Sequence, residues 1–383
     1  FEMTRNFMDK KSNFKTINLK NLYEELKINQ DGSSKKSIFV LIIEDMITLL
    51  EDYSLKNHNS FRVEAKARYF AECDTVPDLV HFIRHRPYDD LPVMVIGEGS
   101  NVLFQSDYNG LIIHPVIRGI NILHEDNSGV IVRAGAGENW DFFVKWAVEK
   151  RYGGIENLSL IPGSLGACPI QNIGAYGAEV SQVIESVETI DLLDGTSTTY
   201  SSSECGFGYR NSIFKGDLKG KKIITNVIFR LSKSPVLMTG YSVISERLKK
   251  YKNIDANTLR KVVIDIRRKK LPDPAKTANA GSFFKNPVVS DEEFGTILSR
   301  FPDIPYFPAE DSGCQKIPAA WLIEKCGWKG KRIGDTGTWP SQPLVLVNYG
   351  KATGQDILKL SEKIAEDVLE KFGIRLEREV SVV

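Results

Sequence analysis

The sequence predicts an α+β fold in two domains, and three observations carry that reading. Short β-branched runs and stretches of helical period follow one another without the steady strand–helix alternation of a parallel sheet. Six glycines between Gly153 and Gly177 mark a long loop region in the middle of the pattern. The 383 residues are more than one hydrophobic core ordinarily holds.

Taken in order, residues 1–45 read as a polar, Lys/Asn-rich appendage with Asp31-Gly32-Ser33-Ser34 as a linker-like break. The chain opens on Phe1, and Met46, ahead of an expected helix over 47–53, is a candidate start. Residues 92–96 form an apolar run ending in Gly97; 111–113 and 130–133 are β-branched, and all three read as strands. Residues 139–151 read as a helix, because Trp140, Phe143, Val144, Ala147 and Val148 recur at helical spacing. Strands resume at 187–192 and 222–231. A boundary is expected at 232–235, since helical stretches over 245–251 and 256–269 follow. Ile357, Leu360, Ile364, Val368 and Phe372 form one helical stripe closed by Gly373. Ile374, Leu376 and Val380 then alternate with Arg375, Glu377 and Glu379 as a half-buried strand. It stops four residues after Glu379, which predicts little flanking support.

Several function classes are disfavoured. Fifty basic against 49 acidic residues give a net charge of +1, which argues against nucleic acid and anionic membranes as partners. The nearest approach to a membrane span, residues 38–43, is stopped by Glu44 and Asp45. Five cysteines without zinc spacing point to free thiols in a reducing compartment, so a cytoplasmic location is expected and no metal site. All five histidines lie at or before 124, which leaves the loop-rich region without a base for a Ser-His or Cys-His pair unless one folds back onto it. His81 and His85 are four apart on an expected helix, where a solvated face is the simpler reading. Gly97-x-Gly99 and Gly135-x-Gly137 run into Val102 and Trp140 where a Rossmann fingerprint needs glycine or alanine, and there is no P-loop.

Five segments remain. Gly97-Glu98-Gly99-Ser100-Asn101-Val102 follows a strand and presents backbone N–H groups with little obstruction, which suits a diphosphate or equally a tight turn. Residues 161–179 interleave Gly, Pro, Gln and Asn with apolar side chains, as a loop approaching a large flat ligand does; a buried Ω-loop is the alternative. In residues 207–215, Arg210 sits among aromatics, where its guanidinium fork can hold a carboxylate or form a structural salt bridge. Ser282 follows a glycine and stands near Lys285, so it can donate a proton or simply shape a turn. Glu379 lies on the polar side of the last strand, catalytic or merely solvated.

In this order the segments resemble the UDP-N-acetylenolpyruvoylglucosamine reductase family, from about residue 50 to 383. The resemblance rests on G-E-G-S-N, I-P-G-x-x-G-x-x-P-I-Q-N-I-G-A-Y-G, Y-R-x-S-x-F, A-G-S-x-F-K-N-P and L-E-x-E-V. It implies an FAD-binding domain of the vanillyl-alcohol-oxidase type over 46–232 and a smaller α+β substrate-binding domain over 233–383. It implies bound FAD, NADPH as hydride source and UDP-N-acetylglucosamine enolpyruvate as substrate; a monomer is expected separately. Gly97, Glu98, Gly99, Ser100, Asn101 and Val102 would hold the FAD diphosphate. Pro162, Gly163, Gly166, Gln171, Asn172, Gly174, Ala175, Tyr176 and Gly177 would wrap the flavin. By motif position Arg210 would polarise the substrate carboxylate, Ser282 would donate the proton, and Glu379 would stabilise the enol. Lys270 and Asn286 resemble substrate contacts, and Tyr241 resembles the tyrosine of a substrate-covering loop. Two alternatives stand beside this reading: a flavoenzyme of the same architecture with another acceptor, and a non-catalytic flavin- or nucleotide-sugar-binding protein.

Overall fold

The computed structural model describes residues 41–43, 47–86, 90–309 and 312–383. The first sheet runs in the order Leu41–Ile43, Ile47–Ser54, Lys66–Cys73, Tyr108–Pro115, Val93–Val95. The first three strands are antiparallel, and Tyr108–Pro115 pairs in parallel with both its neighbours. The expected helix over 47–53 is therefore a strand. Ile47 and Leu49 are buried on either side of exposed Thr48, a period of two, and the backbone pairs across to Lys66–Cys73 with Leu49 opposite Ala71. Leu41–Ile43, inside the expected appendage, pair with Ile47–Leu49. The remainder of that appendage and Met46 lie outside the described residues.

The second sheet is wholly antiparallel, in the order Ser197–Ser201, Ile184–Asp191, Lys222–Ser232, Gly129–Gly135, Ile120–Glu125. The helix Trp140–Glu149 buries the five residues its periodicity singles out, against Val132, Val227 and Phe229. Phe143, Val144 and Val148 each contribute about 1.5–3 kcal/mol by leaving water. Asn139 caps this helix by accepting from the Phe142 N–H. The helix Val76–His85 stacks His81 and His85 at 4.3 Å on a partly exposed face.

A third sheet, Ala278–Ser282, Gln342–Asn348, Thr336–Trp339, Arg332–Ile333, belongs to the C-terminal part. The helix Gly354–Phe372 packs beside it, capped by Thr353 and ended by Gly373 at φ 73°, as expected. Its buried stripe joins Phe61, Phe70, Leu103 and Phe104 of the first sheet and its loops in one core with Phe283 and Phe284. Apolar packing is thus continuous between the first sheet and the C-terminal helix.

Between the second and third sheets lie the helices Ser242–Leu248 and Ala256–Lys270. The first begins three residues ahead of the expected 245, with Tyr241 at its N-cap. The second docks through Arg260 on Asp141 of the Trp140–Glu149 helix at 2.7 Å.

The expected terminal strand keeps its alternation, with Ile374, Leu376 and Val380 buried, but not its ladder. Only an isolated bridge joins Arg378 to Phe284, and the regular strand is Ser381–Val382. That strand pairs in parallel with Val102–Leu103, so the expected lack of flanking support is corrected. No helix among the described residues is long and apolar enough to cross a membrane.

Candidate active site

Gly99 has φ 64°, and a Cβ there would fall 1.9 Å from the His58 carbonyl oxygen, so only glycine fits this close approach. The Ser60 N–H donates to the Gly99 carbonyl at 3.1 Å. Among the described residues the N–H groups of Gly99, Ser100 and Asn101 meet no protein acceptor, which leaves three consecutive donors for an anion.

His58 stands behind this loop, 3.0 Å from the Tyr53 hydroxyl and with its ring 5.1 Å from that of His114. Burial first, then the charge of His114, push its pKa down to about 4. The unfolded chain therefore binds more protons than the native one between about pH 6.5 and 4, so stability falls as pH drops through that window. The expected loss is on the order of 2 kcal/mol after allowance for partial solvation. Urea unfolding from pH 7 to 4 checks this; His58→Gln should flatten the dependence, and an unchanged slope would remove His58 as its source.

The structure brings the first two motif segments together. The Glu98 N–H donates to Ser164 Oγ at 2.9 Å, and Asn139 Nδ2 donates to Glu98 Oε1 at 2.9 Å. Asn101 Nδ2 donates to Gln171 Oε1 at 2.8 Å. Gly166 lies so close to Ala136 that a Cβ would fall 2.5 Å from that methyl group. The long loop carries short 3-10 helices at Glu156–Leu158 and Leu165–Ala167 and a two-residue hairpin pairing Gly174–Ala175 with Ala178–Glu179. Gly177 turns that hairpin at φ 85°. Gly163 is buried beside Ser100, and Pro162 is exposed. Asn172, buried and at φ 44°, spends its carboxamide inside the protein: Nδ2 donates to Glu179 Oε2 at 2.7 Å and Oδ1 accepts from the Ser181 N–H at 3.0 Å.

Arg210 reaches the same hairpin from the Gly208–Asn211 turn. Its Nε donates to Glu379 Oε1 at 3.0 Å and its Nη2 to the Gly174 carbonyl at 2.7 Å. The two side chains are 18% and 13% exposed, so the pair sits in a weakly solvated place. Burial raises the Glu379 pKa, opposed by Arg210 and then by Lys215 and Lys285. Arg210 itself is at φ 54°, held there in part by Lys215 Nζ donating to its carbonyl at 3.2 Å. The alternative of a merely solvated Glu379 is removed.

Ser282 ends the strand Ala278–Ser282 after a bulge, with Gly281 at φ 70° re-aiming the chain. Its hydroxyl makes no hydrogen bond with the described residues. The next residues run against the C-terminal segment: the Glu379 N–H donates to the Phe283 carbonyl at 2.8 Å, and the Lys285 N–H to the Glu377 carbonyl at 2.9 Å. This pairing sets Ser282 beside the Glu379 region.

The remaining three residues divide. Tyr241 is 47% exposed, and its ring meets Tyr176 edge-on at 5.6 Å, so it borders the 162–177 segment. Lys270 ends its helix, exposed as a residue; desolvation and then Arg267 nonetheless lower its pKa. Asn286 is occupied within the fold: its Oδ1 accepts from the Ala319 N–H at 3.0 Å, and it hydrogen-bonds the Tyr209 hydroxyl. Sequence reasoning misses Arg267, which hydrogen-bonds the Tyr176 phenol and donates to the Leu160 carbonyl at 3.3 Å. Its one signal is the basic run that closes the helix.

Residues 67–201 match the model of an FAD binding domain, and residues 273–383 match that of the UDP-N-acetylenolpyruvoylglucosamine reductase C-terminal domain. A UDP-N-acetylenolpyruvoylglucosamine reductase of Flavobacterium johnsoniae is 43% identical over 87% of this chain and 98% of its own. The chain belongs to the UDP-N-acetylenolpyruvoylglucosamine reductase family. The Chromobacterium violaceum member is 45% identical over 86% of this chain and 97% of its own. The crystal structure of the reductase from Thermus caldophilus superposes with a TM-score of 0.59 at 25% identity, covering 88% of this chain and 98% of that one. The chain is thus an oxidoreductase of this family, and its flavin domain is of the vanillyl-alcohol-oxidase type expected from the sequence. The three free N–H groups at Gly99–Asn101, beside a loop that tolerates no side chain at Gly99, fit the diphosphate of FAD.

Proposed function

We propose that this chain reduces UDP-N-acetylglucosamine enolpyruvate to UDP-N-acetylmuramate with NADPH as reductant, in peptidoglycan precursor synthesis, as a cytoplasmic monomer. Residues 46–232 form the FAD-binding domain and 233–383 the substrate-binding domain. The observation that carries this reading is the Arg210–Glu379 pair, closed at 3.0 Å against the hairpin that would wrap the flavin.

When bound, FAD takes hydride from NADPH and supplies it to the unsubstituted carbon of the enolpyruvyl group. That carbon accepts hydride only if negative charge can flow into the carboxylate. Arg210 supplies the fixed cation there, in a place of low solvation where a preorganised charge acts strongly. Glu379, hydrogen-bonded by Arg210 at 3.0 Å, stands beside that cation to stabilise the developing enol. Ser282, its hydroxyl uncommitted, then gives its proton to the adjacent carbon, and the strongly basic centre makes a high-pKa donor sufficient. Tyr241 covers the substrate at its Tyr176 contact, Lys270 holds a substrate anion, and Asn286 acts on the substrate side through Tyr209.

The test is anaerobic and spectroscopic, on the full chain. An oxidised-flavin band should bleach with NADPH and return when the enolpyruvyl substrate is added. A band that stays bleached would point to a flavoenzyme with another acceptor. A colourless protein would sink the flavin reading.

A further inference from the structure

Asn101 belongs by motif to the cofactor loop, yet its side chain does not serve that loop alone. Its Nδ2 donates to Gln171 Oε1 at 2.8 Å and to the Glu379 carbonyl at 3.1 Å. The orientation is fixed by chemistry: a backbone carbonyl can only accept, so the group facing Glu379 must be the amide nitrogen. Both of its hydrogens are thereby used, and one residue knots the 97–102 loop, the 162–177 segment and the chain at Glu379.

The backbone repeats the connection. The Ser381 N–H donates to the Asn101 carbonyl at 3.1 Å, and Val383 N–H to the Leu103 carbonyl at 2.9 Å, within the parallel pairing of Ser381–Val382 with Val102–Leu103. Glu379 is consequently held on three sides. Its N–H is on Phe283, its carbonyl on Asn101, and its carboxylate on Arg210.

We propose that Asn101 is a positioning residue that transmits the seating of the cofactor loop to Glu379, so that FAD binding and the placement of the substrate-side carboxylate are coupled. The inference rests on the proposed roles of the 97–102 loop and of Glu379. A diphosphate on the free N–H groups of Gly99, Ser100 and Asn101 would immobilise Asn101, and the knot would carry that order into residues 379–383. By linkage the coupling is reciprocal, and ordering the 379–383 segment favours the cofactor.

Hydrogen exchange of the full chain, with FAD bound and after its removal, reads the coupling without turnover. The amides of residues 379, 381 and 383 are expected to exchange at least tenfold more slowly in the holoprotein. Equal exchange in the two forms overturns the proposal. Asn101→Asp keeps the volume but faces two acceptors with a carboxylate. It should abolish the FAD-dependent slowing, and in anaerobic half-reactions it should slow flavin reoxidation by substrate at least tenfold more than flavin reduction by NADPH. Retained slowing, or an equal loss in both half-reactions, overturns the role of Asn101. Should that variant not bind FAD, Asn101→Ser is read in the same way. A wild-type enzyme that substrate cannot reoxidise would sink the functional reading, while the exchange comparison would still decide the coupling.

Discussion

Ser282→Ala is expected to slow reoxidation of the reduced flavin by the enolpyruvyl substrate by about 10²–10⁴-fold, the span of a lost general acid. Reduction by NADPH should survive, because nothing in that step calls on a proton from Ser282. The fold should survive as well. The hydroxyl makes no hydrogen bond with the described residues, and the bulge that places it is set by Gly281 at φ 70° and by the pairing with Val345. Anaerobic stopped-flow of the two half-reactions separates these expectations. Unchanged reoxidation would take Ser282 out of the mechanism, and Lys285, a few residues on, would become the next donor to examine.

Arg210→Met should have the second large effect. By the proposed mechanism it removes the cation opposite the developing charge, at an expected cost of about 10²–10³-fold in the oxidative half-reaction. It also leaves Glu379 buried without its partner, and breaking a buried pair in this way costs about 3–5 kcal/mol at full burial. With side chains 18% and 13% exposed, the lower end of that range is expected. The pH dependence has a definite sign. Burial already raises the folded pKa of Glu379, and Arg210 is the first of the groups opposing the rise. Without Arg210 the pKa climbs further, the native state binds the proton more tightly than the unfolded chain, and stability falls as pH rises through the widened interval. Thermal unfolding of Arg210→Met against Arg210→Met/Glu379→Gln should therefore diverge with increasing pH. Parallel curves would mean that Glu379 is not the strained group.

Both effects depend on residues that are legible in the sequence alone, because glycine, arginine and serine stand there in long, specific motifs. The helices Trp140–Glu149 and Gly354–Phe372 are legible for a different reason. Each buries one stripe at a period the chain itself displays, and each carries its own cap in Asn139 or Thr353. The segment Ile47–Ser54 reads wrongly as helix because Ile47, Leu50 and Tyr53 recur every three residues, and the Ile47–Leu49 alternation is too short to outweigh them. What makes it a strand is the partner Lys66–Cys73, which no local pattern contains. The strand Ala278–Ser282 escapes for the same reason: Ala, Asn and Gly have little β-propensity, and the ladder to Gln342–Asn348 supplies what they lack.

The site divides along the same line. By itself the sequence determined the chemistry: which residues can polarise, donate or cradle, and the family whose reaction uses them. Only the tertiary structure decided that Asn172 and Asn286 spend their amides inside the protein, that Arg267 closes on Tyr176, and that Glu379 is paired rather than solvated. The reason is physical. A residue's capacity for hydrogen bonds and charge belongs to its own atoms and can be read in one dimension. Whether that capacity is still free depends on neighbours 169 positions away, as for Arg210 and Glu379, or 278, as for Asn101 and the Glu379 carbonyl. Those neighbours arrive only when the chain has closed on itself.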